Sequence, residues 1–245
     1  MKKYLKPAFL PYATLVCGVI AMLFRLWLLA LGEDGWGLLP AGIFPDVMSW
    51  VMVALTMALL AYSTWRLREA NKYSYNFPAS LVSAAGIALA AFAIFVDSLV
   101  KLMAGVFAME FASTILGLLA SVAMGFLAYF RWKGIRPSVL FHGAVCAYLM
   151  LTLVSSYQHW SALPQLQDYG FELLAIVFLM LATYQRAAFD TDCGNRRAYA
   201  FFSLGALFFS LAAIPSCSNP GFFIGCAAWM LATPCQWTTL PKKEG

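Results

Sequence analysis

The run "ASLVSAAGIALAAFAIFVDSLVKLM", residues 79–103, meets its first charge only at Asp97. A helix packed on a soluble core buries one stripe and rarely needs about 20 apolar residues in succession, whereas a hydrocarbon layer about 30 Å thick does. The run therefore reads as a transmembrane helix. Working outward, runs of the same kind lie at 7–31, 46–67, 110–132, 139–160, 165–187, 197–214 and 221–238. Lipid offers no hydrogen bonds to an open backbone, and each run is about twice the length of a barrel strand, so helices are the required form. The expected fold is an all-α, polytopic membrane bundle of about eight transmembrane helices, one domain spanning 1–245. Composition agrees: 62% of the residues are hydrophobic and 11% charged, where a soluble domain carries about a quarter charged.

Charge placement orients the bundle. If the helices alternate, only Arg25 and Lys101 of the sixteen Lys and Arg residues fall on the side opposite the rest. That bias puts both termini and the loops around Lys72, Arg136 and Cys193 in the cytoplasm, and the loop around Ala162 outside. The net charge of +5 then reports topology and contact with anionic headgroups; nucleic acid is not an expected partner. No small-residue cleavage pattern follows the first run, which reads as a retained helix instead of a signal peptide. The expected location is a cell membrane, of the bacterial cytoplasmic kind, with the lipid bilayer as the main partner.

Two helices carry rows of small side chains. Ala79, Ser83, Gly86, Ala90 and Ala93 recur at intervals of four and three, and Ser113, Gly117, Ser121 and Gly125 every four. Such rows let membrane helices approach closely, either inside the bundle or in contact with a second copy or another membrane subunit.

Polar residues inside the runs are the candidate site. Arg25 and Asp97 each lie about 18 residues into their runs, about 27 Å from the cytoplasmic edge at 1.5 Å per residue. The fifth run turns Thr152, Ser155, Ser156 and His159 to one face, and the sixth does so with Gln165, Asp168 and Glu172. Asp46, Glu110 and Asp168 have a structural role available, since each begins a helix where acids complement the dipole. Arg25 and Lys101 approach outward C-terminal ends, where a cation is favoured and a long side chain can reach water. Asp97 stands at the wrong helix end for an acid. Glu172 falls about 10 Å beyond the expected start of its run, outside simple capping reach. Charges at this depth call for partners or a wet cavity. Arg25 is the available partner for one of the acids, and Lys101 can reach Asp97 at four-residue spacing. Arg25, Asp97, Lys101, His159, Asp168 and Glu172 are accordingly read as ligand-binding residues of an outer-leaflet polar pocket.

Several chemistries find no motif. There is no His-Glu-x-x-His helix, Gly-x-Ser-x-Gly elbow, Walker loop or dinucleotide loop. His142 and His159 share one helix about 25 Å apart and cannot clamp one haem, and the seventh helix lacks the lysine a retinal pigment needs. His142 reads as a hydrogen-bonded packing residue. No Cys-x-x-Cys spacing occurs, so no metal or other cofactor is expected; Cys217 and Cys226 could meet in a disulfide at the outer end of the last hairpin. Three functions follow: a permease or ligand-binding membrane component for a small molecule or ion, a non-catalytic accessory, sensor or assembly subunit, and an intramembrane enzyme. The first leads, because intramembrane charges are functional by default.

Overall fold

The computed structural model of the protein describes residues 9–32, 42–67, 69–103, 108–160, 169–217 and 219–234, without the side chains of 108–110 and 159–160. Within these residues there are helices and no strands. In chain order they are α1 (Leu10–Ala30), α2 (Phe44–Trp65), α3 (Tyr73–Asn76), α4 (Leu81–Met103), α5 (Ala108–Lys133), α6 (Val139–Trp160), α7 (Gly170–Asp190), α8 (Arg196–Ala213) and α9 (Pro220–Ala232).

Six helices, α1, α2, α4, α5, α6 and α7, are long and apolar enough to cross a bilayer. Among the described residues no further helix meets that standard, so six of the expected count of about eight are supported, for two local reasons. Helix α8 opens on Arg196 and Arg197, and α9 has 13 residues, about 20 Å at 1.5 Å per residue. Beyond Thr233 stands Pro234, whose missing N–H cannot continue the ladder.

Local chemistry explains several boundaries. Pro45 lies in the first turn of α2, where its missing N–H costs nothing, and the Asp46 carboxylate accepts a hydrogen bond from Gly42 N–H at 3.0 Å. Asn195 caps α8 by accepting from the amides of Arg197 and Ala198. In the α7–α8 turn, Asp192 takes a left-handed conformation with φ of 59°, which Asp tolerates better than most residues. Its carboxylate then accepts from Tyr73 N–H at 3.0 Å and from Arg136 Nη1 at 3.1 Å. The Tyr73 amide, with Arg136 beside it, holds the Asp192 carboxyl below the ordinary carboxylate range.

Those bonds tie three loops together at one end of the bundle. Arg197 adds a hydrogen bond to the Leu67 carbonyl at 2.9 Å and an ion pair with Glu69 at 2.6 Å. The loops around Lys72, Arg136 and Cys193 therefore share one end, as alternating helices require. Tyr62, Trp65, Tyr129 and Trp132 are exposed near the same end, in the manner of an interfacial aromatic belt.

Helix α8 is the centre. Residues 203–210 are buried without interruption, so the helix is covered all round; α1, α2, α7 and α9 pack on it. The bundle's outer surface is apolar, with Phe92 66%, Leu140 81% and Trp65 70% exposed. Large apolar side chains facing outward on several helices mark a lipid-facing surface.

Both small-residue rows are used inside the chain. A Cβ placed on Gly86 would lie 2.5 Å from Ala232 Cβ and 2.9 Å from the Ala228 carbonyl, and one on Gly225 would lie 2.5 Å from Ala93 Cβ. Helices α4 and α9 thus touch through small residues on both sides. On α5, a Cβ at Gly117 would strike Ser98 Oγ of α4 and come within 2.9 Å of Tyr148 Cε2 of α6.

Candidate functional sites at the two ends of the bundle

At the end opposite the tied loops, Asp97 is 9% exposed, and its Oδ2 lies 2.7 Å from Lys101 Nζ and 3.4 Å from the Tyr148 hydroxyl, which donates to it. Helical spacing places Lys101 one turn beyond Asp97, so the pair is made within α4. Glu172 is also 9% exposed and lies within electrostatic reach of Lys101. Helix α7 starts at Gly170, not near 165, so Glu172 occupies the first turn and complements the helix dipole. Arg25, 2% exposed, sets its guanidinium 4.9 Å over the Phe171 ring, which also stacks on Trp50. The carboxylate beside Lys101 is thus Asp97, while Arg25 reaches the residue next to Glu172. Asp168 and the side chain of His159 fall outside the described residues.

Asp97 also lies in the wall of a groove of about 380 Å³ between α4 and α9. Phe92, Val96 and Val100 line one side, Phe222 and Ile224 the other, and Asn219 adds a polar group near one end. The exposure of Phe92, Val96, Val100 and Ile224 shows that the groove opens sideways, on the lipid-facing surface.

The tied-loop end holds a second polar group that sequence reasoning missed. His142 Nδ1 of α6 lies 2.8 Å from Asp190 Oδ2 of α7, with both side chains almost wholly buried. Arg131 of α5 is 1% and Arg186 of α7 6% exposed. Arg131 Nε donates to Ser83 Oγ at 3.1 Å, and that hydroxyl lies 3.4 Å from Thr233 Oγ1. Phe77, just past α3, serves both arginines: the Arg186 Cζ is 3.3 Å and the Arg131 Cζ 5.3 Å from its ring centre. Tyr73 stands 5.1 Å from Arg186, and Asn76 pins α3 by donating to the carbonyls of Ala70 and Lys72. Arg131 and Arg186 read from sequence as topology charges, and an expected helix end at 187 put Asp190 in a loop. The signal available was Arg186 and Asp190 at four-residue spacing, which share a face once α7 runs on.

Cys217 and Cys226 are free thiols, so the disulfide is not formed. Among the described residues no three His, Cys, Asp or Glu side chains gather as a metal site. Between the two polar ends, the middle of the bundle is packed with Leu179, Ala206, Leu207, Phe208 and Phe209, all at most 2% exposed.

No known protein family, curated protein or solved structure matches the chain. Fold and surface define its class: an all-helical, multi-pass membrane protein.

Proposed function

We propose that the protein is a ligand-binding membrane component whose ligand is an amphiphile, entering sideways from the lipid. The observation that carries this reading is Asp97, a buried carboxylate in the wall of a groove between α4 and α9 that is otherwise apolar except for Asn219. Apolar walls suit a hydrocarbon body, and a lone carboxylate suits a head that donates hydrogen bonds or carries positive charge. Tyr148 and Lys101 hold the carboxylate in place. The packed middle of the bundle supports binding over open passage, so of the permease and binding readings the second is preferred. The remaining outer residues, Arg25, Glu172, His159 and Asp168, belong in this proposal to the polar surroundings of that head.

A fluorescent long-chain alkylamine, with the matching alkyl sulfonate as comparator, tests the reading on purified protein in detergent. The amine should bind saturably and the sulfonate should not. Asp97→Asn should weaken amine binding roughly tenfold or more, the scale of one hydrogen bond to a charged group. Lys101, 34% exposed, can extend to water in that variant, so the fold should hold. The closed Asp97–Lys101 pair favours a second reading, a non-catalytic accessory or assembly subunit in which the pair is structural. Equal affinity for amine and sulfonate, unchanged in Asp97→Asn, would support that alternative.

The same proposal has eight crossings, with α8 and α9 forming the last hairpin and both termini cytoplasmic. It is supported by the gathering of Lys72, Arg136 and Arg197 at one end. In a background with Cys193 replaced by Ser, Ala162→Cys should react with an impermeant thiol reagent in intact cells. Reaction only after permeabilisation would reverse the orientation.

A further inference from the structure

The buried arginine pair at the tied-loop end has no part in the amphiphile groove. Arg131 and Arg186 come from different helices, α5 and α7, yet act on each other electrostatically and share the Phe77 ring. Nη1 and Nη2 of Arg131 and Nη1 of Arg186 are buried with no well-aligned hydrogen-bond acceptor among the described residues, the Tyr73 hydroxyl being within reach of Arg131 only. Two cations held together away from water repel strongly, and stacking on an aromatic ring does not satisfy the N–H groups of those three nitrogens. Asp190, one helical turn from Arg186, faces His142 at 2.8 Å, and no carboxylate of the described residues lies within 4 Å ion-pair range of either arginine. What such a pair lacks is a compact anion with several acceptor oxygens.

We propose that Arg131 and Arg186 bind a phosphate-type oxyanion, either free phosphate or the phosphate of a lipid headgroup. The chemistry matches on three counts. Guanidinium groups present planar forks that bond two oxygens at once, and phosphate offers enough oxygens for both. Ser83 Oγ, beside Arg131 Nε, fixes the orientation of one fork. The Tyr73 and Tyr199 hydroxyls lie close enough to act on Arg131, and the Tyr73 hydroxyl, whose present bond to the Ile135 carbonyl is long at 3.4 Å, can turn its proton to an anion. The pair also stands at the end where exposed Tyr62, Trp65, Tyr129 and Trp132 mark the headgroup level. The connection at 69–80, whose Phe77 covers both guanidiniums, is the cover the anion has to displace.

The test uses the full chain, purified in detergent and stripped of lipid. Equilibrium dialysis measures binding of radiolabelled inorganic phosphate, and thermal shift measures binding of short-chain phosphatidic acid against phosphatidylcholine. Saturable binding of phosphate identifies the free anion, and selective stabilisation by phosphatidic acid without phosphate binding identifies the headgroup. Arg131→Gln and Arg186→Gln should each weaken that binding about tenfold or more. Should both variants fail to fold, an arginine-directed dicarbonyl reagent on the wild-type protein, read by mass spectrometry, serves in their place. The bound anion should shield Arg131 and Arg186 from it. Absence of binding in both assays, or binding that leaves both arginines unshielded or both variants unaffected, would overturn the proposal.

Discussion

Asp190→Ala lowers the stability of the bundle by about 1–3 kcal/mol, the cost of leaving a buried polar group without its partner. The size follows from burial: the side chains of His142 and Asp190 are 2% and 0% exposed, so water cannot replace the lost carboxylate. Asp190 also stands one turn from Arg186 on α7, so its loss raises the positive potential acting on that buried guanidinium. Removing both partners should be milder than removing one, because the orphaned group disappears with its partner. Asp190→Ala combined with His142→Phe should therefore recover a substantial part of the loss, which a double-mutant cycle reads as coupling. Unfolding in mixed micelles of mild detergent and dodecyl sulfate measures both. A single-mutant loss under about 1 kcal/mol would show that the pair does not hold α6 to α7.

Gly86→Leu is the second large effect. In open space, replacing a helical glycine gains up to about 1 kcal/mol from reduced chain entropy. Here the sign reverses, because the first added carbon already meets Ala232 Cβ at 2.5 Å and the Ala228 carbonyl at 2.9 Å. Neither neighbour is the flexible end of a side chain, so α4 and α9 must separate, at a cost of about 1–3 kcal/mol or more. Gly125→Ala on α5 is the internal control: a Cβ there meets nothing within 4 Å, and its stability should stay level or rise. Melting temperatures in one detergent should fall for Gly86→Leu and not for Gly125→Ala. Equal behaviour of the two would mean that α9 does not seat on the α4 row.

Much of this was legible before the fold. Apolar run length alone placed the long helices to within a few residues, because the bilayer imposes one dimension on all of them. The α4 row announced its own contact, since only small residues permit the approach that Gly86 and Gly225 make. The Asp97–Lys101 pair follows from four-residue spacing within one helix. What sequence could not supply was pairing between helices. Arg131 and Arg186 look like ordinary boundary charges until α3 and Phe77 fold over them, and His142 meets Asp190 only because α7 continues to residue 190. Boundary placement misled at Glu172 as well: a shift of five residues in the helix start changes a deeply placed acid into a first-turn one. Arg25 shows a third limit, because a ring on another helix, Phe171, receives its guanidinium, and cation–aromatic pairing between segments leaves no periodic trace.

In the proposed binding mode an amphiphile enters between α4 and α9 and places its head at Asp97. Photolabelling with a long-chain alkylamine bearing a diazirine in its chain, followed by peptide mass spectrometry, tests this most directly. Adducts should concentrate on residues 92–100 and 220–228, the two walls of the groove, and should be lost in Asp97→Asn. Adducts spread evenly over the lipid-facing sides of α1 and α2, and unchanged in Asp97→Asn, would contradict it.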